Sequence, residues 1–299
     1  MTSICQMITD AELAPGAPPG SPDWQRRCTA SKLAPILGLS AWTSRYEIWH
    51  RMAGHLPPQE PTYAMLRGTH LEAGVLSLWH ALHPDWQIES TETWRSKKHP
   101  WLYATPDSLA LDPDGQPWCL EAKTCSTWDG WGPDGSTIVP PDYDCQTVVQ
   151  AAVLGLPVLI IAVGPGFEMR TYERRPHPWQ TAAMLDEARA FLDTLPGGPH
   201  EQEPQPGLAD EQTLLDVTPI YRGWKRALDP DDEAAAALAA AVVAADDAAA
   251  TLAAARMAAA ERLQEAEALQ WRGVTLISRR TDGALNLART TTLRKVIDQ

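Results

Sequence analysis

The stretch ATPDSLALDPDGQPWCLEAKT, Ala104–Thr124, decides the fold. Its Asp112-Pro-Asp-Gly115 segment carries Asp-Gly turn chemistry and reads as a hairpin joining Leu109–Leu111 to Trp118–Lys123. Along the second strand a period of two places Trp118, Leu120 and Ala122 on one face and Cys119, Glu121 and Lys123 on the other. Asp107, after Pro106, starts the adjacent strand and can sit close to Glu121. A surface hairpin with scattered charges is the plain alternative. The chemistry that suits an aspartate beside Glu-x-Lys is metal-assisted phosphodiester cleavage. Carboxylate oxygens hold hard divalent ions such as Mg²⁺, the ion activates a water, and the lysine positions or deprotonates that water. Spacing by itself yields only a metal phosphodiesterase, and so short a pattern arises readily by chance.

Working outward, CTASKLAPILG reads as a short helix capped at Thr29 or Ser31 and ended by Gly38. Ser44-x-x-Glu47 is a capping box for a second helix that Gly54 closes. Between and within these lie Trp42, Tyr46 and Trp49, an aromatic group expected to serve as core rather than as a base-stacking platform. Tyr63–Leu82 is the clearest helix of the first half. Leu71, Val75, Leu78 and Leu82 are its expected core stripe, with Glu72 beside it and Gly68 one turn earlier. Trp101–Thr105 reads as a strand, Tyr143–Gly155 as a helix, Val158–Val163 as a buried strand and FEMRTYERR as a partly exposed one. Thr181–Leu195 reads as a further helix. Helices and strands in this order predict an α/β sandwich with a mixed sheet.

The expected organisation is a loose segment over 1–22, a main domain over 23–195, a linker over 196–230 and an Ala-rich extension over 231–299. The extension is expected to be a long helix or a helical hairpin from Asp231 to about Gln270, followed by a terminal hairpin turning at Asp282-Gly283. Alanine's helix propensity favours helix over disorder there.

Composition bounds the function. The chain has 299 residues, 44% of them hydrophobic, and a net charge of −13. That balance excludes a nonspecific polycation for nucleic acid. Yet Arg26, Arg27, Lys32, Arg45 and Arg51 cluster against the single acid Glu47, while acid concentrates from Asp229 onward. The five cysteines include no Cys-x-x-Cys pair, which suits reduced thiols in a cytoplasm and speaks against an iron–sulfur cluster. MTSICQMITDAELAPG shows no signal-peptide pattern, and no apolar run approaches the ~20 residues of a membrane helix. His70, His80 and His83 lack His-Glu-x-x-His spacing and are expected to be surface or packing residues.

Four blocks, in order, resemble the lambda-exonuclease and YqaJ-like viral recombinase branch of the PD-(D/E)XK nuclease superfamily. They are TASKLAPILGLS with YEIWHRMAG, RGTHLE, ATPDSLALDPDG with LEAKT, and PPDYDCQTVVQAAVLG. The resemblance covers about residues 24–195, and the charged helix and terminal hairpin resemble, less specifically, the tails of longer relatives. It implies a PD-(D/E)XK restriction-endonuclease-like core, with a mixed central sheet flanked by helices, and a metal-dependent 5′-to-3′ exonuclease on double-stranded DNA. Products would be 5′-mononucleotides and a 3′ single-stranded overhang for phage-type recombination in a bacterial host.

By position, the resemblance makes Asp107 and Glu121 metal ligands, completed by the Ala122 carbonyl, with Glu72 assisting a second ion. Mg²⁺ is the implied cofactor and Mn²⁺ the substitute. Lys123 would act on the water and Gln146 would orient groups nearby. Ser31 and Thr105, with Arg26 or Arg27, would hold a terminal 5′-phosphate. Implied partners are DNA ends, a single-strand annealing protein and further copies of the chain in a trimeric or tetrameric ring. Two departures, Ser108 for a glycine and Ala122 for a bulkier apolar residue, remove no ligand. Two alternatives stay open: another nuclease of the superfamily, either an endonuclease or a CRISPR-associated exonuclease, and a non-catalytic DNA-end-binding assembly protein.

Overall fold

The Asp-Gly turn closes as its residues require. Asp112 Oδ1 accepts from the N–H groups of Asp114 and Gln116 at 3.0 and 2.8 Å, and Gly115 takes a φ of 80°. The strands leaving the turn pair with Ser108 opposite Leu120, so Asp107, one step further, comes beside Glu121. The computed structural model describes residues 3–218, 225–227, 229–282 and 284–297. The chain divides into two units, Met1–Ile220 and Tyr221–Gln299.

The first unit runs β1 (Ala11–Leu13), α1 (Pro22–Arg26), β2 (Cys28–Thr29), α2 (Leu33–Ile36), α3 (Arg45–Ala53), α4 (Tyr63–Leu82), β3 (Gln87–Glu89), β4 (Trp94–Ser96) and β5 (Leu102–Ala104). It continues with β6 (Ser108–Leu111), β7 (Pro117–Thr124), α5 (Pro141–Leu154), β8 (Val158–Val163), β9 (Met169–Arg174), α6 (Pro178–Asp193) and α7 (Glu211–Val217). A mixed sheet has the order β3-β6-β7-β8-β9. Only its β7–β8 pair is parallel. A parallel pair needs a crossover, which α5 supplies. A smaller sheet has the order β1-β4-β5-β2. This is the expected α/β class, mixed sheets flanked by helices.

Strand β7 is buried on both faces, as its alternation demands. Cys119 joins a cluster with Val148, Val149 and Val153 of α5. Trp118, Leu120 and Ala122 join another with Val75, Leu76 and Trp79 of α4. Helix α3 begins at Ser44, whose Oγ accepts from Glu47 N–H at 2.9 Å, and ends at Gly54 in the left-handed region. Helix α5 ends likewise at Gly155.

Several expectations are corrected. Of the expected α4 stripe Val75 is buried, but the leucines at 71, 78 and 82 are exposed, and Leu76 and Trp79 join Val75 in the core. Two apolar stripes compete on this helix, and the one carrying the bulky Trp79 wins the sheet. Glu72, three and four residues before Val75 and Leu76, therefore lies in line with the buried stripe, not beside it. Tyr46 and Trp49 are core, but Trp42 is 67% exposed: it sits on the loop before α3, not on the helix. The N-terminal segment, expected to be loose, is built into the fold. β1 pairs antiparallel with β4, Ile4, Ile8 and Ala11 enter the core, and Ile4 N–H donates to Glu89 Oε2 at 2.7 Å. An otherwise open sheet edge recruits these few apolar residues.

The expected linker is likewise held down in its first part. Tyr46 Oη donates to Glu203 Oε1 at 3.0 Å. Ser44 Oγ donates to the buried Asp210 carboxylate. Residues 219–224, also assigned to the linker, lie outside the described residues.

In the second unit α8 (Glu233–Leu263) is capped by Asp232, whose side chain accepts from Ala235 N–H at 2.9 Å. It stops at Leu263, short of the expected Gln270, where the alanine run gives out. Three strands, β10 (Ala268–Trp271), β11 (Val274–Arg279) and β12 (Leu285–Leu287), form an antiparallel sheet, and α9 (Thr290–Ile297) follows. The β11–β12 hairpin is the expected one, although Gly283 lies outside the described residues. The β10–β11 hairpin is additional. Its turn residues Arg272 and Gly273 both have positive φ, 48° and 77°, as a two-residue hairpin turn requires. By length and composition α8 is apolar enough to cross a membrane, contrary to the expectation from sequence. That apolar character is mostly alanine, and Asp246 and Asp247 at mid-helix would each cost roughly 2.5–3.5 kcal/mol at a bilayer centre.

Candidate active site

Strand geometry delivers the central acids. Asp107, at the start of β6, accepts through Oδ2 from the Ala122 N–H of β7 at 2.7 Å. This bond locks the aspartate to the neighbouring strand. Glu121 points to the α5 face and is 2% exposed. Its Oε1 accepts from Lys123 Nζ and from Gln146 Nε2, and its Oε2 accepts from Gln150 Nε2. Lys123 also sits over the Tyr143 ring, 5.2 Å from its centroid.

The electrostatics follow from crowding. Burial, then the adjacent Glu121, push the Asp107 carboxyl up to about 8. Burial and Glu121 also raise Glu72, which places the α4 acid in the same field. For Lys123 burial opposes the charge, but Glu121 and Asp107 outweigh it and hold the amine above its ordinary value. Three carboxylates thus share one ammonium. A buried excess of negative charge on oxygen ligands is the donor chemistry that a hard divalent cation suits. No group of three His, Cys, Asp or Glu side chains among the described residues forms a ready-made metal cage. Two adjacent carboxylates with water completing the shell would suit Mg²⁺, which is usually held by one or two carboxylates and keeps several waters.

Gln150 is the residue that sequence reasoning missed. It is fully buried, and with Gln146 it clamps both oxygens of Glu121 from one face of α5. The signal was present: glutamines four apart on a helix share a face. Partners that orient a ligand carry roughly 10–100-fold in metal affinity or activity. Gln150→Leu is therefore expected to weaken Mn²⁺ binding about tenfold, read by calorimetric titration of the full chain. Unchanged binding would leave Gln150 as packing only.

The proposed end-binding residues are partly gathered. β2 runs parallel to β5 with Thr29 opposite Tyr103. Beyond that pair Ser31 enters the 3-10 turn Ala30–Lys32, while Thr105 runs on toward Asp107, two residues later. Ser31 is exposed, and Thr105 Oγ1 lies 2.9 Å from Thr93 Oγ1. The basic cluster read from the sequence is largely neutralised. Arg27 pairs with Asp23, Arg45 with Glu187 and Arg51 with Glu47. Lys32 is buried and donates to the carbonyls of Trp24, Gln25 and Arg27 at 2.7–3.0 Å, tying down the end of α1. Of the two candidate arginines Arg26 is the exposed one and, among the described residues, has no ion-pair partner. Of the three histidines, His70 is exposed, and His83, just past the end of α4, stacks on Trp79 with centroids 4.6 Å apart.

Residues 23–157 match the family model of the YqaJ-like viral recombinase domain. Among solved structures, the alkaline exonuclease LHK-Exo from Laribacter hongkongensis is 21% identical, covering 58% of this chain and 89% of its own, with a TM-score of 0.45. LHK-Exo in complex with dAMP aligns at 19% identity over 58% of this chain and 91% of its own, with a TM-score of 0.47. No curated protein matches the chain.

Proposed function

We propose that the chain, whose residues 23–157 match the YqaJ-like viral recombinase domain model, is a divalent-metal-dependent exonuclease. It degrades the 5′-ended strand of linear double-stranded DNA, releases 5′-mononucleotides and leaves 3′ overhangs for phage-type recombination in a bacterial cytoplasm. The observation that supports this reading is the meeting of Asp107, Glu121 and Lys123 around β6 and β7, the aspartate accepting from the Ala122 N–H and the lysine donating to Glu121.

Asp107, Glu121 and the Ala122 carbonyl would hold Mg²⁺, or Mn²⁺ in its place, with Glu72 reaching a second ion or its waters. A bound divalent ion supplies an activated water and stabilises charge on the phosphate. Lys123 orients that water or takes its proton, while Gln146 and Gln150 keep Glu121 in one rotamer. Ser31, Thr105 and Arg26 bind the terminal phosphate. The chain acts as a trimeric or tetrameric ring around duplex, alongside a single-strand annealing protein. Light scattering of the full chain reads the assembly.

Linear duplexes labelled at a single end, incubated with Mg²⁺ or EDTA beside a covalently closed circle, test the activity. The 5′ label should appear as mononucleotide at once, only with metal, and the circle should survive. A cut circle would make the protein an endonuclease. A 5′-hydroxyl duplex should be degraded at least about tenfold more slowly than the phosphorylated one at subsaturating DNA, because hydrogen bonds to a charged group are lost. Equal rates would remove Ser31, Thr105 and Arg26 from an end-binding role.

A further inference from the structure

An exposed indole, that of Trp42, is linked to Lys123 through a single ring, that of Tyr143. Trp42 is 67% exposed, yet its loop is not slack. Ala41 N–H donates to Asp142 Oδ2 at 3.3 Å. Ser40 Oγ accepts from the N–H groups of Trp42 and Thr43 at 3.2 and 3.4 Å, and Ser44 then caps α3. The loop is thus tied at one end to the first turn of α5 and at the other to α3. Tyr143, next to Asp142, carries the connection to the site. Its ring lies 6.0 Å from that of Trp42 and 5.2 Å from that of Trp131, while Lys123 Nζ sits 5.2 Å from its centroid. Trp131 and Tyr143 pack on the buried Ile160, Ala162 and Tyr172. The row Trp131–Tyr143–Trp42 therefore runs outward from the core, passes the lysine and ends in a solvated indole.

We propose that Trp42 is a stacking platform for a nucleobase of the strand being cut, positioning the nucleotide whose phosphate enters the site formed by Asp107, Glu121 and Lys123. This rests on the nuclease reading above. An indole held in place in advance presents a flat apolar face at little ordering cost, and any base can stack on it, so the contact is indifferent to sequence. Such indifference is what an enzyme that digests a whole strand needs. The neighbouring groups sort by role: Asp107, Glu121 and Lys123 address the phosphate, and Trp42 addresses the base.

The test uses 5′-phosphorylated fluorescent duplexes in which one of the first three nucleotides of the phosphorylated strand is either intact or abasic. Binding to the wild-type full chain, Trp42→Ala and Trp42→Phe is read by anisotropy in EDTA. Trp42→Ala should weaken binding of the intact duplex roughly tenfold, the scale of one base–aromatic stack, and Trp42→Phe should recover most of it. At one of the three positions the abasic duplex should cost wild type the same factor and cost Trp42→Ala nothing more. Equal binding by wild type and Trp42→Ala, including no measurable binding by either, overturns the proposal. So does a Trp42→Ala loss that is the same on every abasic duplex. Cleavage with Mg²⁺ is scored separately: base-dependent binding through Trp42 by a protein that cuts nothing would sink the nuclease reading and leave the platform standing.

Discussion

Asp107→Asn and Asp107→Ala are expected to yield folded protein whose cleavage of duplex DNA falls by at least about 10²-fold, the scale set by removing one electrostatic stabiliser from a reacting centre. Three carboxylates, Glu72, Asp107 and Glu121, crowd one ammonium. In EDTA above about pH 8, where Asp107 is ionised, removing its charge relieves repulsion, so the Asp107→Asn protein should melt no lower than wild type. The asparagine carbonyl can still accept from the Ala122 N–H that Asp107 now engages. Glu121→Ala should be equally inactive but less stable, because it strands the buried amine of Lys123 and the amides of Gln146 and Gln150. The pair of variants thus separates ligand loss from unfolding. Near-wild-type cleavage by folded Asp107→Ala would falsify the site.

Lys123→Arg should bind DNA almost normally and cut at least about 10²-fold more slowly, in the range attributed to a positioned proton-transfer group. Arginine keeps the charge and can keep an ion pair with Glu121, but it is a far poorer proton acceptor and its planar fork differs in shape from an ammonium. The lysine contacts both the Glu121 carboxylate and the Tyr143 ring, so the larger guanidinium must shift against one of them. Binding by anisotropy and single-turnover cleavage decide the matter. If both fall together, Lys123 is a phosphate contact and not a catalytic group.

The sites where sequence reasoning failed share a cause. Gln150 was overlooked because its role exists only once α5 is laid over β7 and Glu121 points up at it. Trp42 was taken as core because aromatic residues near a helix usually are, yet it precedes the Ser44 cap and so lies off the helix's buried face. The basic cluster seemed a binding face until Asp23, Glu187 and Glu47 arrived to pair with it. Two of those three acids are local, and Glu187 comes from a distant helix.

What the sequence determined by itself is everything set by short-range chemistry. That includes the Asp112–Gly115 turn, the alternation that turns Glu121 and Lys123 to one face, the Ser44 cap, the glycine stops at Gly54 and Gly155, and hence the meeting of Asp107 with Glu121. Turn geometry and strand period are properties of a few neighbouring residues, so no distant contact was needed to read them. Tertiary structure alone decided which of two apolar stripes α4 would bury, and with that the aim of Glu72. It also decided that β1 would close the edge of β4, that α5 would bring a second glutamine to Glu121, and that Trp42 would stay in solvent against Tyr143. Each of these turns on which surface a segment meets after the chain has collapsed, and that competition is settled between residues far apart in sequence.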